Sequence, residues 1–486
     1  MRASVVVRYL GSLLLLLSGL MLAPLAVSLL YQGPDRLPFM ISIVVTAAAG
    51  AAMRFWSRKP MGLMWRKESF VVVALAWLLA SAFGALPYLL AGSFANPIDA
   101  YFEAMSGFTT TGASVMTNIE SNPHGILFWR GFTQWLGGMG IITLFIALVP
   151  LVGMGSGGTT ALYEDEVPAP QADRVTPRIR DTAKALWGIY LGMTVAEIAL
   201  LMLAGMPAFD AITNSFGTMA TGGYSPRNAS ISYYNSPLID WVVITFMAAA
   251  GVNFGLYYLM RRGKMGKALA DTELRVYLAI LLGCSLLATT DLMLNGGYQL
   301  VSDALRHSVF AIVAQQTTTG FLLADYDLWP WFSKLLILLV MLIGASSGST
   351  GGGFKVIRLI ILAKYAYRHL YSVFHPRVVL PLKMGGRVIP DSIVKESVGF
   401  FILFQVVLLL SVVALAAMDI DLITALSGVV ATLSNVGPGF HLVGPTLNYA
   451  WAPDLAKLVL IFDMLVGRLE LWTVLILLRP AFWREG

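Results

Sequence analysis

Short strips rich in glycine and threonine recur four times along the chain. Each closes a segment that begins with an aspartate and continues as a half-apolar helical stretch: DAYFEAMSGFTTTGAS from Asp99, DAITNSFGTMATGGYS from Asp210, DALRHSVFAIVAQQTTTGF from Asp303 and DLITALSGVVATLSNVGPGF from Asp421. Taking Gly112, Gly222, Gly320 and Gly437 as equivalent gives a repeat period of roughly 100–120 residues. Such a long period predicts a quasi-symmetric assembly built from one duplicated unit.

The chemistry that suits such strips is the dehydration of a cation. Backbone carbonyl groups that point toward a common axis can replace the hydration shell of an alkali ion. Glycine is needed because some residues must adopt dihedral angles that are closed to other side chains, and small neighbours such as threonine let four strips converge. The C-terminal ends of the short helices would add a favourable electrostatic contribution for a cation.

A single TTTG sequence is weak support for this chemistry, because it most simply ends a helix. TTTG occurs twice, at 109–112 and 317–320, and the strips of the second and fourth segments depart from it. Four glycine-containing strips, each placed between a short helix and a long apolar run, carry much more weight. The motif alone does not fix the register of the two divergent strips to the residue.

The elements around these strips are those of a membrane protein. Of the 486 residues, 57% are hydrophobic and 12% are charged, whereas soluble proteins carry roughly 25% charged residues. A spanning helix needs about 20 apolar residues. The candidate spans are 5–30, 38–54, 70–91, 126–152, 185–205, 237–260, 276–296, 331–364, 394–418 and 455–478.

The basic residues predict an orientation for these spans. The net charge is +6, and the Lys and Arg residues gather in short stretches between apolar runs. This is the positive-inside pattern, and it places both termini in the cytoplasm. The single cysteine, Cys284, excludes an intrachain disulfide framework and a cysteine-based zinc site.

Each of the four aspartates is expected to cap a re-entrant helix through its side-chain oxygen. The distance from aspartate to glycine is longer in the last two segments than in the first two. The difference is close to 4 residues, which is about one helical turn. The alternative is that these aspartates are simply acidic residues in exterior loops.

Two further features of the sequence are candidate gates. The span 331–364 is interrupted by GASSGSTGGGFK from Gly344 to Lys355, and so many glycines should break a helix, since each costs around 1 kcal/mol against alanine. Apolar runs on both sides favour a broken helix whose loop enters the permeation path. The alternatives are a flexible loop outside the membrane or a small-residue packing face.

Arg468 lies inside the last apolar run, where an ionisable group is a functional candidate. On a regular helix Asp463 and Glu470 share a face and Arg468 points away from both. Its partners should therefore come from another helix, from the glycine-rich loop or from water in the pore. A structural salt bridge between helices is the alternative.

These motifs together resemble the TrkH/TrkG branch of the Trk/Ktr/HKT superfamily of potassium transporters. The resemblance rests on the four repeats, on GFTTTGAS, on GASSGSTGGGF and on the closing VGRLELWT. It implies an all-α polytopic membrane protein, with four M1–pore helix–M2 repeats in a pseudo-fourfold arrangement around one pore. The implied domains are an N-terminal two-helix hairpin (1–60), repeat 1 (61–160), a cytoplasmic linker and repeat 2 (161–262), repeat 3 with a gating loop (263–370), and a cytoplasmic loop and repeat 4 (371–486).

The resemblance also implies which residues form the potassium filter and the gate. The filter residues would be Thr110, Thr111, Gly112, Ala220, Thr221, Gly222, Thr318, Thr319, Gly320, Asn435, Val436 and Gly437. The gate residues would be Gly344, Ala345, Ser346, Ser347, Gly348, Ser349, Thr350, Gly351, Gly352, Gly353, Lys355 and Arg468. A glycine in all four strips implies a preference for potassium over sodium, which should be modest.

The function implied is potassium uptake across the bacterial inner membrane, without covalent chemistry. The resemblance implies a ring of TrkA-type regulatory subunits on the cytoplasmic face and a homodimer, with a nucleotide (NAD or ATP) on the regulatory partner only. We expect no cofactor in this chain, no transition metal and no nucleic-acid partner.

Three other classes fit less well. A solute symporter with broken helices would show inverted repeats, whereas these units all run in the same direction. A voltage-gated channel would need a helix with regularly spaced arginines, and an enzyme would need a nucleophile or a His, Cys and acid cluster. Within the potassium transporters, passive flow, proton symport and weaker potassium selectivity stay open.

Overall fold

The computed structural model describes residues 2–57, 65–140, 179–295, 297–375 and 380–484. Most of the described chain is helical. The helices are α1 Ala3–Leu20, α2 Leu22–Leu30, α3 Arg36–Trp56, α4 Arg66–Gly84, α5 Leu86–Leu90, α6 Pro97–Phe108, α7 His124–Gly138, α8 Ile179–Leu203, α9 Ala208–Met219, α10 Pro237–Ala250, α11 Phe254–Arg261, α12 Met265–Leu269, α13 Thr272–Leu294, α14 Val301–Gln316, α15 Trp331–Ile343, α16 Val356–Phe374, α17 Asp391–Ala416, α18 Leu422–Leu433, α19 Asp454–Arg468, α20 Glu470–Leu475 and α21 Pro480–Arg484.

The β-structure in the described residues is a short antiparallel ribbon with two residues in each strand. It pairs β1 Lys383–Met384 with β2 Arg387–Val388, with Lys383 opposite Val388. The ribbon follows α16 and precedes α17.

Six stretches in the described residues are long and apolar enough to cross a membrane unbroken. They are Ala3–Leu30, Arg36–Trp56, Lys67–Leu90, Thr182–Leu203, Thr272–Leu294 and Asp391–Ala416, with mean hydropathies from 1.6 to 2.8. The first two form an N-terminal hairpin in which α1 packs along α3. The other four each precede one of the short helices that lead into a strip, and we call them the M1 helices.

The four remaining predicted spans follow the strips, and within the described residues none of these M2 helices runs unbroken through its predicted span. The first, α7, ends at Gly138, and the rest of the predicted span 126–152 lies largely outside the described residues. The second bends by 93° between α10 and α11. The third is divided by residues 344–355, and the fourth is broken between α19 and α20, where Glu470 has φ +56°.

The short helices before the strips are α6, α9, α14 and α18, and we call them the pore helices. Of the four aspartates expected to be N-caps, only Asp421 accepts a hydrogen bond from a first-turn N–H, that of Thr424 at 3.0 Å. Asp99, Asp210 and Asp303 stand at the third helical position, so the N-cap prediction is wrong for them. There they still favour the positive N-terminal end of the helix.

The predicted length difference between the pore helices holds for one helix only. α14 has 16 residues, whereas α6, α9 and α18 have 12 each. The longer spacing in the fourth repeat arises because Asp421 precedes its helix while the other aspartates lie inside theirs.

Buried clusters between consecutive repeats show that the repeats are arranged in a circle. One joins repeats 2 and 3 through residues such as Val243 and Phe310. Another joins repeats 3 and 4 through Ile337 and Val430. The largest joins repeat 4 back to repeat 1 and to the hairpin. The protein is therefore an all-α polytopic membrane protein whose four M1–pore helix–M2 units surround a common centre.

Candidate ion pathway

The four strips share one backbone conformation. Each pore helix ends, and the second residue after it adopts a positive φ although it is not glycine: Thr110 (54°), Thr221 (52°), Thr318 (61°) and Asn435 (55°). Two residues later a glycine has positive φ in every strip: Gly112 (80°), Gly223 (74°), Gly320 (72°) and Gly437 (102°). Non-glycine residues rarely occupy this region, so its fourfold recurrence identifies equivalent positions.

This conformation corrects the register of the second strip by one residue. Gly223, rather than Gly222, is equivalent to Gly112, and Ala220 is the residue that caps α9. Gly222 then corresponds to Thr111, Thr319 and Val436. The sequence contains two consecutive glycines here, and only the distance from the end of the helix decides between them.

The four strips form a closed ring. A Cβ atom built on Gly112 would lie within 3.0 Å of the carbonyl oxygen of Gly222 in the next strip, a separation that real Cβ atoms essentially never show. The same is true for Gly223 with the oxygen of Thr319, for Gly320 with that of Val436, and for Gly437 with that of Thr111. Each glycine therefore permits one strip to approach the next, and the fourth contact returns to the first strip.

A cavity that is open to solvent lies beside this ring. The empty space is about 820 Å³ including open solvent, and Gly112, Gly223, Gly320 and Gly437 all contribute to its lining. The four glycines of the corrected register therefore converge on one space, as a shared pathway requires.

A buried ion pair connects the first strip to the second. Arg130 on α7 contacts Glu103 on α6 at 2.6 Å (Nε to Oε1), and it donates to the carbonyl oxygen of Ser225 at 3.0 Å. The carboxylate of Glu103 also accepts from the N–H of Val115 at 3.0 Å and from the hydroxyl of Ser114. The pair thus holds the residues that follow both strips.

Two further side chains complete this connection. Gln134 donates to the carbonyl oxygen of Gly222 at 2.6 Å and accepts from the N–H of Tyr224 at 2.9 Å, so it brackets Gly223. The Tyr224 hydroxyl lies 3.0 Å from the carbonyl oxygen of Ala113, and its ring lies 3.6 Å from the Arg130 guanidinium carbon.

The fourth strip is tied to the first by neutral groups. Asn435 donates to the hydroxyl of Thr111 and to the carbonyl oxygen of Met464, both at 2.9 Å. Beyond the ring, the backbone N–H of Tyr449 donates to the carbonyl oxygen of Ser114 at 2.8 Å. The positive-φ asparagine is thereby held from two directions.

Residues 344–353 lie directly against the strips. The N–H of Gly352 donates to the Thr318 hydroxyl at 2.7 Å, and the Thr350 hydroxyl lies 3.4 Å from that of Thr221. A Cβ atom on Gly352 would meet the carbonyl oxygen of Ser434 in the fourth strip. The loop therefore touches the second, third and fourth strips and is neither an extramembrane loop nor a simple packing face.

Arg468 reaches the first strip and the loop. Its guanidinium donates to the Thr110 hydroxyl at 3.1 Å and to the carbonyl oxygens of Thr350 at 2.9 Å, Gly137 at 2.6 Å and Gly138 at 2.9 Å. These partners come from other elements, as helix geometry predicted. Lys355, with φ +78°, donates to the carbonyl oxygen of Gly351 in the same loop.

Glu273, at the start of α13, ties the loop to the first turn of α16, the helix that follows it. Its carboxylate accepts from the N–H of Ser347 at 2.7 Å, from the Ser347 hydroxyl at 2.9 Å and from the N–H of Ile357 at 3.1 Å. Glu470 pairs with Arg358 at 2.6 Å rather than with any group on its own helix.

Sequence reasoning did not find Glu103, Arg130, Gln134, Gly223 or Glu273. An acidic residue within a pore helix and an arginine within the next apolar run were the available signals for the first two. Gln134 and Glu273 carried no distinguishing pattern.

At the entrance to the fourth pore helix, one carboxyl group outside the spanning segments is perturbed. Burial acts to raise the pKa of Asp421, but hydrogen bonds from Thr424 and the adjacent His441 lower it below its ordinary value. In the described ranges, no group of three or more His, Cys, Asp or Glu side chains is placed to hold a metal ion.

The fold and this pathway define a polytopic membrane transporter with one quasi-fourfold constriction. The chain matches the family model TrkH, described as a cation transport protein, over residues 36–484. It is 39% identical over 483 residues to the Trk system potassium uptake protein TrkH of Salmonella typhimurium, with 99% of each chain covered. It is 33% identical over 485 residues to the Trk system potassium uptake protein TrkG of Escherichia coli, again with 99% of each covered.

Among solved structures, the crystal structure of the potassium transporter TrkH from Vibrio parahaemolyticus matches with a TM-score of 0.89 and 38% identity, and 100% of each chain is covered. The chain belongs to the TrkH family of cation transport proteins. The relatives are named as uptake proteins, so this is a family of transporters rather than enzymes.

Proposed function

We propose that this protein carries potassium ions into a bacterial cell across the inner membrane, with both termini in the cytoplasm. The observation that carries the proposal is the closed ring of four strips with the same backbone conformation and a glycine at each equivalent position. The names of the relatives supply the ion. A ring of backbone oxygens replaces the hydration shell of such an ion.

In this proposal the filter consists of residues 110–112, 221–223, 318–320 and 435–437. Ala220 leaves the set because of the corrected register. All four equivalent positions are glycine, which favours potassium over sodium. The preference is modest, because the strips are shorter than those of the highly selective channels.

The gate consists of residues 344–353 with Lys355 and Arg468. The loop and the arginine together contact all four strips at the positive-φ residue or its neighbour. The guanidinium of Arg468 beneath the ring opposes the entry of another cation, since like charges repel in a low-dielectric site, and Lys355 adds to this barrier when it is protonated. This arrangement corresponds to a closed state.

The filter is tested by Gly112→Ser in proteoliposomes that take up rubidium in competition with sodium. The added Cβ would collide with the carbonyl oxygen of Gly222, so the preference for rubidium over sodium should fall. Gly192→Ser on α8 is the matched control, because apart from its chain neighbours and the backbone of its own helix no atom lies within 4 Å of its Cβ position. An unchanged ion ratio in Gly112→Ser would count against the filter.

The gate is tested by Arg468→Ala in the same assay without a regulatory subunit. Removal of the guanidinium frees the loop from the first strip, and the rubidium flux should rise. A flux equal to or below that of the parent chain would remove Arg468 from the gate.

We further propose that a ring of TrkA-type subunits controls the loop from the cytoplasmic side, and that two copies of the chain form a dimer. The contacts expected for the ring are 160–184, which lies mostly outside the described residues, and 365–390. A nucleotide would bind the regulatory subunit. Copurification of the two proteins from detergent, with and without NAD or ATP, tests this proposal.

One observation favours the proton-coupled alternative. The carboxyl group of Glu197 on α8 is fully buried beside the side chain of Thr218, and no ion pair among the described residues balances it. An ionisable group inside a membrane helix is a candidate proton carrier. If transport is coupled, an imposed proton gradient should drive rubidium uptake in the parent chain and not in Glu197→Gln. Equal responses would favour passive flow.

A further inference from the structure

The guanidinium of Arg468 occupies a cage of neutral oxygens. Three are main-chain carbonyl oxygens, from Gly137, Gly138 and Thr350, and the fourth is the Thr110 hydroxyl, at 2.6–3.1 Å. We call these four groups the carbonyl cage. Neutral carbonyl and hydroxyl oxygens are also the ligands with which proteins replace the water around potassium.

The cage exists because the first M2 helix stops there. The last carbonyl groups of a helix have no regular donor within it, and α7 ends at Gly138. The carbonyl oxygen of Gly137 also accepts from the N–H of Gly140 at 2.9 Å. The C-terminal end of a helix also carries a partial negative charge that favours a cation. The end of α7 therefore places carbonyl oxygens and a partial negative charge next to the first strip, where both favour a cation.

The loop satisfies the corresponding carbonyl groups of the second M2 helix. The Thr350 hydroxyl donates to the carbonyl oxygen of Ala250 at 3.2 Å, and the N–H of Ser346 donates to that of Gly251 at 3.1 Å. The carbonyl groups released by two broken helices are thus covered by the two parts of the gate. Movement of the gate would remove these partners from the carbonyl oxygens of Gly138, Ala250 and Gly251, and buried polar groups without a partner are costly.

We propose that the carbonyl cage is a binding site for a monovalent cation, which Arg468 fills in the closed state and a potassium ion fills when Arg468 withdraws. The arginine then acts as a tethered competitor of the transported ion, in addition to obstructing the path. The inference rests on the proposed function, because it assumes that ions pass from the ring of strips into the space below it.

The test is chemical replacement of the missing side chain by free guanidinium. Full-length Arg468→Ala in proteoliposomes should lose part of its raised rubidium flux when guanidinium is added. A tethered group acts at millimolar effective concentration, so on the order of 10 mM free guanidinium is needed. Raising the rubidium concentration should relieve the inhibition, since both cations compete for the same oxygens.

Two controls define the expected pattern. Choline carries the same charge without N–H donors and should not inhibit. Arg275→Ala removes an exposed arginine that donates to the carbonyl oxygen of Leu269 outside the pathway, and guanidinium should leave its flux unchanged. Arg468→Met, which keeps similar volume without charge, is the second variant should Arg468→Ala not be recovered from the membrane.

Binding is also measurable without flux. Guanidinium and potassium should each raise the thermal stability of Arg468→Ala or Arg468→Met more than that of the parent chain, because a ligand that binds the folded state stabilises it. Inhibition that is equal in all variants, or that rubidium does not relieve, would overturn the cage. Absence of rubidium uptake in the parent chain and in both Arg468 variants would instead overturn the proposed function.

Discussion

Each pair of neighbouring strips meets at a junction, which we call a seam. The side chains that support the ring differ from seam to seam. At the first seam, between strips one and two, Glu103 and Arg130 form an ion pair whose side chains are 0% and 4% exposed. At the third seam, between strips three and four, Val436 and Phe440 belong to an apolar cluster, and Phe440 meets Tyr326 edge-on with ring centroids 5.5 Å apart. Polar contacts at the third seam lie at the exposed rim, where the N–H of His441 donates to Asp327 at 3.0 Å.

The comparison shows that the strip conformation does not depend on one kind of support. Positive φ angles and glycine contacts recur at every seam, while the side chains around them have diverged. The backbone ring is the common requirement. Each seam stabilises it with whichever groups the neighbouring helices provide.

The largest effect should come from the glycines, because the strips approach each other through them at every seam. In Gly223→Ala the new Cβ would collide with the main-chain oxygen of Thr319, and potassium-dependent uptake should be lost. Gly222→Ala would meet the side chain of Gln134, which can move, so more uptake should survive. Rubidium uptake by both variants at equal protein density measures the difference. An equal loss of rubidium uptake in the two variants would contradict the assignment of Gly223, rather than Gly222, as the equivalent of Gly112.

The next largest effect should come from the first seam. Removing one partner of a buried ion pair costs about 3–5 kcal/mol, since the other charge stays buried and unpaired. Glu103→Gln and Arg130→Met should each lower the thermal stability of the protein in detergent and its preference for rubidium over sodium. The double variant should recover stability relative to either single one, since no lone charge is left. Additive losses in the double variant would show that the two groups act separately.

A smaller effect is expected at the third seam. Phe440→Leu loses the edge-on contact with Tyr326 and some packing volume, at a cost of about 1–2 kcal/mol. Thermal unfolding should detect it, and the ion preference should stay near that of the parent chain, because no strip carbonyl depends on this ring. A change in ion preference as large as that of Glu103→Gln would remove the distinction between the seams.

The smallest effect is expected at the rim. Asp327 contacts Lys334 at 3.3 Å as well as the N–H of His441, and both side chains of the ion pair are partly exposed. Exposed pairs of this kind contribute about 0–1 kcal/mol. Asp327→Asn should therefore match the parent chain within about 1 kcal/mol in thermal unfolding, with unchanged rubidium uptake. A loss comparable to that of Arg130→Met would mean that the rim, rather than the buried pair, supports the ring.

Prediction from the sequence succeeded where the signal is local. The six unbroken spans follow from continuous apolar runs, and the loop at 344–353 follows from its glycines. The interruptions of the other M2 helices were harder to see, because a few glycines, such as Gly137 and Gly138 or the isolated Gly251, are often tolerated within membrane helices. Glu470 gave no sign that its φ would be positive.

The seams could not be predicted, because their partners are far apart in the chain. Arg130 and Ser225 are separated by 95 positions, and Asn435 and Thr111 by 324. Local pattern does not specify which groups meet across such distances. The second strip illustrates the same limit at short range, since either Gly222 or Gly223 fits the motif.

The sequence by itself determined that the chain is a helical membrane protein with four glycine-bearing strips and a cationic group below them, since hydropathy, glycine content and repeat period are properties of local segments. The tertiary structure decided the register of the second strip, the groups that close each seam and the oxygens that hold Arg468. These depend on where helices end and on which elements approach one another. That outcome is set by packing across the whole circle of repeats.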